Sequence, residues 1–377
     1  MQTYEKMLGR IDLEAFALTI NRFALDLIKV PTNQILSIDE PFARLSSKLG
    51  FYFNLFLQAT CGLDYLHLGL VKKLKGFDIV HTMETFNAFS YQGLEAKRRY
   101  GSKLVVTVWE NRPYAAERFR RKREMKYEVL READLLIPMT KRAGDCLILE
   151  GADPEKVWVQ PVGIDMEQFK PGSDDGGLRE KLGIGADEIV IVSVAALLWE
   201  KGVYDLIHAF KRIKNDPLTA GRKVRLIMAG SGPEKKQLEE LVTRIGLDGD
   251  VMIRRFPYDD VPNVYRAADI FVLASTARRG WLEQFGYVLP EAMASGLPVV
   301  AAQSGSIPEV VGEGGVIVPP SDFMGLADAL LPLIAEKGIR EEMGRKARAE
   351  AERLYDSKKN AKKLEEAYMR LLEEDKR

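Results

Sequence analysis

Short apolar runs that alternate with amphipathic segments are the main pattern of this chain from residue 77 onwards. The apolar runs predict strands at residues 78–81, 104–108, 135–137 and 157–160. The amphipathic segments predict helices at residues 88–100, 118–132 and 140–149. Strands that alternate with helices of roughly 10–15 residues form a parallel sheet with helices on both faces. The pattern therefore predicts an α/β domain.

The same alternation begins again after a polar segment at residues 170–177. Strands are predicted at residues 189–194, 224–230, 251–253, 270–273, 298–302 and 315–318. Helices are predicted at residues 204–213, 234–245 and 291–295, from residue 322, and at residues 341–355 and 357–372. We therefore predict two doubly wound domains, at residues 1–165 and 166–355, and a terminal helix at residues 356–377.

The first 76 residues follow this alternation least clearly. The spacing of their apolar positions predicts a helix at residues 13–28 and one or two more at residues 51–73.

The composition excludes several classes of protein. The 377 residues carry 55 basic and 55 acidic side chains, so no overall field attracts nucleic acid. Two cysteines form no disulfide framework and fit a reducing cytoplasm. The longest uncharged run, at residues 49–63, is shorter than the about 20 apolar residues that a membrane-spanning helix needs. We therefore expect a protein that is cytoplasmic or bound to the inner face of a membrane, without nucleic-acid partners.

Two acids, Glu283 and Glu291, lie on either side of Gly286 and Pro290 in the segment WLEQFGYVLPE. Proline is best tolerated in the first turn of a helix, so we predict Glu283 on a loop and Glu291 in the first turn of a helix. A helix start offers N–H groups to a phosphate, and flanking carboxylates accept hydrogen bonds from hydroxyls. This suits a nucleotide-sugar, whose diphosphate lies between a ribose and a hexose. Taken alone, Glu291 is better explained by the helix dipole and Glu283 by solvation, but the two together, with glycine between them, favour the functional interpretation.

The motif E-x-F-G-x-x-x-x-E, followed by A-M-A-x-G-x-P-V-V, resembles the signature of the retaining group 1 (family 4) glycosyltransferases of the GT-B fold. The resemblance implies two Rossmann-like domains that face a cleft, and a C-terminal helix that crosses back to the first domain. It also implies transfer of a hexose from a nucleoside diphosphate sugar to an acceptor hydroxyl with retention. By motif position, Glu283 binds the hexose as a catalytic residue and Glu291 holds the ribose. The backbone that meets the sugar and the diphosphate is that of Phe285, Gly286, Tyr287 and Val288.

A lysine completes the donor site that the resemblance implies. The segment ALLWEKG resembles the family's G-R-L-…-K-G, in which an arginine and a lysine neutralise the diphosphate. Lys201 matches and is predicted to be catalytic, whereas Ala196 stands at the arginine position. Arg278 or Arg279 is a candidate substitute. The simpler interpretation of Lys201 is a solvated lysine at a turn.

Two loops that follow strands are further candidates for donor binding. Gly230 and Gly232 form a G-x-G between a strand and a helix, which a tight turn alone explains. In the family this loop lies beside the donor. Arg255 and Phe256 follow the next strand, where the family reads the base mainly through backbone groups. The base (UDP, GDP or ADP) and the hexose are left open.

The first domain supplies four more candidate substrate-binding residues at strand ends, which are His81, Trp109, Glu110 and Asn111. The family often carries a histidine at the position of His81 and a hexose-contacting histidine at that of Trp109. The three histidines of the chain show no metal-ligand spacing, so we predict no metal and no cofactor other than the donor substrate.

Residues 97–126 form a strongly basic run. A solvated helix face is the default interpretation of such a run. Contact with anionic lipid or with an anionic acceptor is the alternative, supported by the aromatic segment at residues 51–56.

The sequence thus predicts a retaining hexosyltransferase whose acceptor is a glycan, a lipid-linked sugar or a small molecule. One alternative is a non-catalytic nucleotide-sugar binder. Another is a different GT-B enzyme, such as a sugar-nucleotide epimerase or a phosphorylase. Slow hydrolysis of one nucleotide-sugar would distinguish the transferase from the binder.

Overall fold

The computed structural model describes residues 2–7, 9–19, 29–62, 66–172, 177–278 and 280–374. The chain divides into two compact units. The first unit contains Met1–Gly163 and Ser357–Arg377, and the second contains Ile164–Asp356.

In the described part of the first unit, five strands form two parallel sheets. β1 (Ala15–Leu18) pairs with β2 (Thr32–Ile35). The other sheet has the order β3-β4-β5 and consists of Ile79–Met83, Lys103–Val108 and Leu135–Pro138. β4 is buried along nearly its whole length because it lies in the middle of this sheet, which explains its continuous apolar sequence.

Among the described residues, seven helices precede the second unit. They are α1 (Gln2–Glu5), α2 (Glu40–Leu45), α3 (Ser47–Cys61), α4 (Leu70–Lys73), α5 (Ala88–Tyr100), α6 (Arg120–Glu132) and α7 (Lys141–Leu149). α5, α6 and α7 confirm the three helices predicted in this part of the chain. Thr140 caps α7, because its Oγ1 accepts a hydrogen bond of 3.2 Å from the N–H of Ala143.

Two element predictions for the first unit are wrong. A helix is predicted at residues 13–28, but the start of this segment forms the strand β1. A short apolar run can form either a helix or a strand, and here its pairing with β2 favours the strand. Residues 20–28 lie outside the described residues. Residues 157–160 form only an isolated bridge, from Val157 to Leu136, although the N–H of Gln160 also donates to the carbonyl oxygen of Pro138 at 3.1 Å. The ladder does not continue because Pro138 has no N–H to donate in return.

The second unit is built on one parallel sheet of six strands with the order β11-β10-β9-β6-β7-β8. In chain order these are β6 (Ile189–Val194), β7 (Val224–Ala229), β8 (Val251–Arg254), β9 (Ile270–Leu273), β10 (Val299–Ala302) and β11 (Gly315–Val318). The chain moves outward from β6 through β7 and β8, and then returns to the other side of β6 with β9. The strand order therefore reverses between β6 and β9.

Helices cover both faces of this sheet. They are α8 (Leu178–Lys181), α9 (Val203–Lys214), α10 (Lys235–Arg244), α11 (Val261–Arg266), α12 (Val288–Ala294), α13 (Ile307–Val311), α14 (Phe323–Ala335) and α15 (Lys337–Leu354). The main core lies where the apolar sides of α9 and α14 pack on β6 and β10. It includes Phe210 and Leu330, which are almost completely buried.

The last helix, α16 (Ser357–Glu374), belongs to the first unit, as the resemblance implies. Its Tyr368 reaches the side chain of His81 in β3. The fold combines parallel strands and helices in the α/β arrangement that the sequence predicts.

Candidate functional site

The candidate donor site lies in the second unit at the point where the strand order of the sheet reverses. Ligands of doubly wound sheets bind outside the carboxyl ends of the strands at such a point. The loops that follow β6 and β9 carry Lys201 and Glu283, respectively. The sheet topology therefore brings together two residues that are far apart in sequence.

Lys201 ends a short 3₁₀ turn, Trp199–Lys201, whose position is fixed by backbone contacts. The backbone N–H of Thr276 donates to the carbonyl oxygen of Glu200 at 2.9 Å, which joins the loops after β6 and β9. The next residue, Gly202, has φ +64°, and a Cβ there would lie 1.9 Å from the carbonyl oxygen of Ala274. Only glycine fits this position.

Lys201 and Glu283 form an ion pair in which the Lys201 Nζ lies 2.6 Å from the Glu283 Oε2. The hydroxyl of Ser275 donates to the same oxygen at 2.9 Å. The Lys201 ammonium also lies 4.8 Å from the centre of the Trp281 ring. The lysine is thus held between a carboxylate and an aromatic face, and the interpretation as a solvated turn lysine is wrong. The sequence analysis missed Ser275 and the contact with Trp281.

The backbone between Glu283 and the start of α12 follows a fixed path. The carbonyl oxygen of Glu283 accepts from the N–H of Ser306 at 3.0 Å. Gly286 has φ +77°, which glycine adopts without strain. Phe285 is buried, so its side chain is not available to a ligand. α12 begins at Val288, close to the predicted start, and Glu291 lies in its first turn as predicted.

Glu291 is buried and hydrogen-bonded to two phenols. The hydroxyl of Tyr265 donates to Oε2 at 3.0 Å, and that of Tyr258 donates to Oε1 at 3.4 Å. Burial raises the pKa of the Glu291 carboxyl to about 7. The sequence analysis missed both tyrosines, although they lie about two helical turns apart in one segment, a spacing that places side chains on one face.

The raised pKa of Glu291 predicts a pH-dependent stability. Its ordinary value is 4.5, so the folded chain binds this proton more tightly than the unfolded chain. The resulting stabilisation is complete below about pH 4.5 and is lost as the pH rises through about 7. We expect the Glu291 chain to lose on the order of 3 kcal/mol relative to Glu291→Gln between about pH 4.5 and pH 8. Urea unfolding of both proteins across this range checks it, and parallel pH profiles would contradict it.

The G-x-G loop after β7 serves backbone packing. A Cβ at Gly230 would lie 1.9 Å from the carbonyl oxygen of Ala195, and one at Gly232 would lie 2.2 Å from that of Leu197. Both glycines therefore let this loop approach the one that leads to Lys201. This close approach accounts for both glycines, neither of which has a positive φ, and their contact with the donor stays a prediction.

The residues predicted to read the base lie on the surface after β8. The guanidinium of Arg254 packs over the ring of Phe256 at 5.5 Å, and Arg255 is exposed. Ala196 is also exposed. Arg278, a candidate substitute for the missing arginine, pairs loosely with Glu200 at 3.6 Å. Arg279 lies outside the described residues. The role of Arg255 and Phe256 in base recognition stays a prediction.

His81 is the centre of a hydrogen-bond network in the first unit. Its Nδ1 contacts the hydroxyls of Tyr4, at 3.2 Å, and Tyr368, at 2.5 Å, and its Nε2 lies 2.7 Å from Thr107 Oγ1. Burial lowers the pKa of His81 to about 3, so the ring is neutral at physiological pH. These contacts join α1, β3, β4 and α16, and a substrate contact of His81 stays a prediction.

Trp109, Glu110 and Asn111 follow β4 directly. The Glu110 carboxylate is paired with Arg112 at 2.8 Å, and Asn111 is buried. The backbone N–H groups of Trp109 and Glu110 both donate to the side chain of Glu84, which the sequence analysis missed. Substrate contacts of these three residues stay predictions.

The basic run at residues 97–126 is largely neutralised within the first unit. Salt bridges of 2.5 to 4.0 Å link carboxylates to Lys97, Arg98, Arg99, Lys103, Arg112, Arg120, Arg121 and Lys126. In the part of the chain that the structure describes, no helix combines the length and the apolar sequence that crossing a membrane requires. Nor do the described residues contain three His, Cys, Asp or Glu side chains placed to hold a metal ion.

The sheet order and the position of the acids define an α/β protein of the GT-B glycosyltransferase fold. The structure of Anabaena HepE in complex with UDP and glucose is similar, with a TM-score of 0.73 and 23% identity over 97% of this chain and 94% of that chain. Sucrose-phosphate synthase from Thermosynechococcus elongatus has a TM-score of 0.73 and 20% identity over 98% and 92%. At these identities the likeness is one of fold.

Residues 175–350 match the model of the family described as glycosyl transferases group 1, so the chain contains a domain of that family in its second unit. A D-inositol 3-phosphate glycosyltransferase from Saccharomonospora viridis is 35% identical over 60% of this chain and 53% of its own length. A GDP-mannose-dependent monoacylated alpha-(1-6)-phosphatidylinositol monomannoside mannosyltransferase from Corynebacterium glutamicum is 34% identical over 51% of this chain and 50% of its own length. The chain spans about half the length of the curated relatives it matches.

Proposed function

We propose that this protein is a retaining glycosyltransferase that moves a hexose from a nucleoside diphosphate sugar to an acceptor hydroxyl. The observation that carries the proposal is the ion pair between Lys201 and Glu283, which lies where the strand order of the second unit reverses. The segment that carries Glu283 leads directly into α12, whose first turn carries Glu291. The match of residues 175–350 to glycosyl transferases group 1 supports it.

The second unit binds the donor in this proposal. Lys201 has three N–H donors, of which one is used by Glu283, so it can also bind a phosphate oxygen. Its charge stabilises the diphosphate as the bond to the anomeric carbon breaks. Glu283 accepts hydrogen bonds from hexose hydroxyls, and Glu291 accepts them from the ribose. Lys201 supplies the positive charge, so the step requires neither a metal ion nor a cofactor.

The first unit binds the acceptor. The acceptor oxygen bonds to the anomeric carbon on the face from which the diphosphate leaves, and its proton passes to the departing phosphate oxygen. No protein nucleophile is required for this route, so catalysis depends on position and on charge stabilisation.

The names of the relatives suggest which donors and acceptors to test first. HepE has been crystallised with UDP-glucose, and the Corynebacterium glutamicum protein is named as GDP-mannose-dependent. UDP-glucose and GDP-mannose are therefore the first donors to test. Relatives named as D-inositol 3-phosphate glycosyltransferases make inositol phosphate the first acceptor, and lipid-linked and glycan acceptors follow.

Contact with a membrane face is part of the proposal. Its support is the exposed aromatic surface of α3, where Phe51, Tyr52 and Phe56 are all more than half exposed. The internal pairing of the basic run reduces the contribution that residues 97–126 make to lipid binding.

Donor binding followed by slow hydrolysis tests the proposed function. A nucleotide-sugar at 100 times its Kd raises the stability of the folded chain by about 2.7 kcal/mol, which a thermal-shift screen detects. The selected donor is then incubated with the protein, and release of free sugar and nucleotide is measured. We expect slow hydrolysis that is abolished in Glu283→Ala and retained in the surface control Glu239→Ala. Tight binding without turnover on any acceptor would instead indicate a nucleotide-sugar binder.

A further inference from the structure

Glu84 has an unusual backbone conformation at the carboxyl end of β3. Its φ of +62° lies in a region that residues other than glycine rarely adopt. The conformation is held in place because the N–H of Glu84 donates to the carbonyl oxygen of Thr107 in β4 at 2.7 Å. Such strain is costly, and it is concentrated at functional sites.

The strain at Glu84 is not isolated. In the described chain, the non-glycine residues with positive φ are Glu84, Tyr114, Ala116 and Ser321. Of these, Tyr114 lies further along the loop after β4, where its N–H donates to the side chain of Glu150 at the end of α7. Glu84 directly follows β3, at the edge where the carboxyl ends of the parallel strands meet. This edge of a parallel sheet is where ligands of α/β proteins bind.

The Glu84 side chain organises the loop after β4. It is only 9% exposed, and its Oε1 accepts hydrogen bonds from the backbone N–H groups of Trp109, at 2.9 Å, and Glu110, at 3.2 Å. One oxygen thus fixes the two residues that begin this loop.

The second oxygen has a different environment. Oε2 of Glu84 is buried and makes no hydrogen bond with any of the described residues. An unsatisfied buried polar atom destabilises the fold, so native proteins pair such atoms with a protein group, a water or a ligand. The group that satisfies Oε2 is therefore a molecule outside the described protein residues, either a water or a ligand.

The protonation of Glu84 indicates the chemistry of that partner. The pKa of the Glu84 carboxyl is raised to about 8, chiefly by burial and in smaller part by the carboxylate of Glu110, while the N–H groups of Trp109 and Glu110 and the ammonium of Lys126 oppose the rise. At neutral pH the group is a carboxylic acid. Its Oε1 accepts two N–H groups, so the proton belongs on Oε2, which can then donate to and accept from an uncharged hydroxyl.

We propose that Glu84 is a ligand-binding residue of the first unit, whose Oε2 hydrogen-bonds to a carbohydrate hydroxyl while its Oε1 fixes the backbone of Trp109 and Glu110. The assignment of this hydroxyl to the acceptor rests on the proposed function. A hydroxyl of the donor hexose has the same chemistry, and the experiments below distinguish the two sources.

Direct binding is measured on the full chain without any need for turnover. The isotope-labelled side-chain carboxyl carbon of Glu84 is assigned by NMR as the resonance that is missing in Glu84→Gln. Its shift is followed while inositol phosphate, and separately UDP-glucose, is added. A saturable shift with either compound supports the site, and the compound that causes it identifies the source of the hydroxyl. An unchanged resonance with both compounds, also when added together, would overturn it and leave a buried water as the partner.

Kinetics separate ligand binding from a purely structural role. Glu84→Gln places an N–H donor where the protonated Oε2 stands, and Glu84→Ala removes both contacts. We expect Glu84→Ala to raise the KM for the hydroxyl-bearing substrate about tenfold or more, while Glu84→Gln stays within about threefold. Glu84→Gln should also lack the fall in transfer rate that ionisation of Glu84 produces as the pH rises through about 8 in the unsubstituted protein.

The control variant is Glu132→Gln in the same unit, where the carboxylate pairs with Arg98 at the surface. Equal KM values for all three variants and the unsubstituted chain would overturn the proposal. If the unsubstituted chain hydrolyses no donor, the proposed function fails, while the NMR titration still decides whether Glu84 binds a hydroxyl.

Discussion

Lys201→Ala is expected to lower the turnover of the donor about 100- to 1,000-fold. The substitution removes the positive charge that in our proposal stabilises the departing diphosphate. Such preorganised charge acts mainly in the transition state, so kcat should fall more than KM rises. The measurement is the rate of nucleotide release from the donor selected by the binding screen, with and without acceptor.

A double substitution separates this effect from a loss of structure. Removal of Lys201 alone leaves the buried Glu283 carboxylate without its ion-pair partner, which lowers stability as well. In Lys201→Met combined with Glu283→Gln the buried charge is gone, so stability should recover while turnover does not. Lys235→Ala, which removes an exposed lysine paired with Glu239 at 3.5 Å, is the matched control. Turnover of Lys201→Ala within about threefold of the unsubstituted rate would contradict the role of Lys201.

Gly202→Ala is expected to destabilise the chain by at least about 4 kcal/mol. The new methyl group would lie 1.9 Å from the carbonyl oxygen of Ala274, so the loops after β6 and β9 must move apart. This movement also displaces Lys201, the preceding residue. Urea unfolding measures the stability, and donor binding to the remaining folded protein measures the displacement.

Gly183→Ala is the control for the backbone conformation of Gly202. Gly183 has φ +65°, nearly the same as the +64° of Gly202, but a Cβ there meets nothing within 4 Å. The control therefore reports the cost of positive φ alone, about 1–2 kcal/mol. If both substitutions lower the free energy of unfolding by the same amount, the close approach of the two loops is not the reason that position 202 requires glycine.

The second unit could be predicted from the sequence almost completely. Strands β6 and β11 occupy the predicted residues, and α9 differs by one residue at each end. The strands are recognised by continuous apolar runs, because both faces of the sheet are buried. The helices are recognised by apolar residues at helical spacing, because each helix has one apolar side. The loop position of Glu283 and the first-turn position of Glu291 followed from where glycine and proline are tolerated.

Contacts across strands could not be predicted in the same way. Ser275 meets Glu283, and Tyr265 meets Glu291, only because β9, α11 and α12 are brought together by the sheet order. The environment of the Glu84 carboxyl is also set by a neighbouring strand, because one of its oxygens accepts from the N–H of Trp109 after β4 and the other has no partner in the described residues. No local pattern of residues encodes these pairings.

The basic run shows a second limit of sequence analysis. Counting charges in one segment does not reveal acids that pack against it from elsewhere. Lys97, for example, pairs with Asp134 from a later part of the chain. The formal charge of a segment therefore overstates the field that it presents to a ligand or to a lipid surface.

The first unit is completed by both ends of the described chain, because Tyr4 of α1 and Tyr368 of α16 meet at His81. The second unit is continuous in sequence and lies between these parts. During synthesis on the ribosome, residues 164–356 emerge before α16, so the second unit can fold while the first still lacks its closing helix. The second unit can therefore complete its fold before the first, although most of the first unit is synthesised earlier.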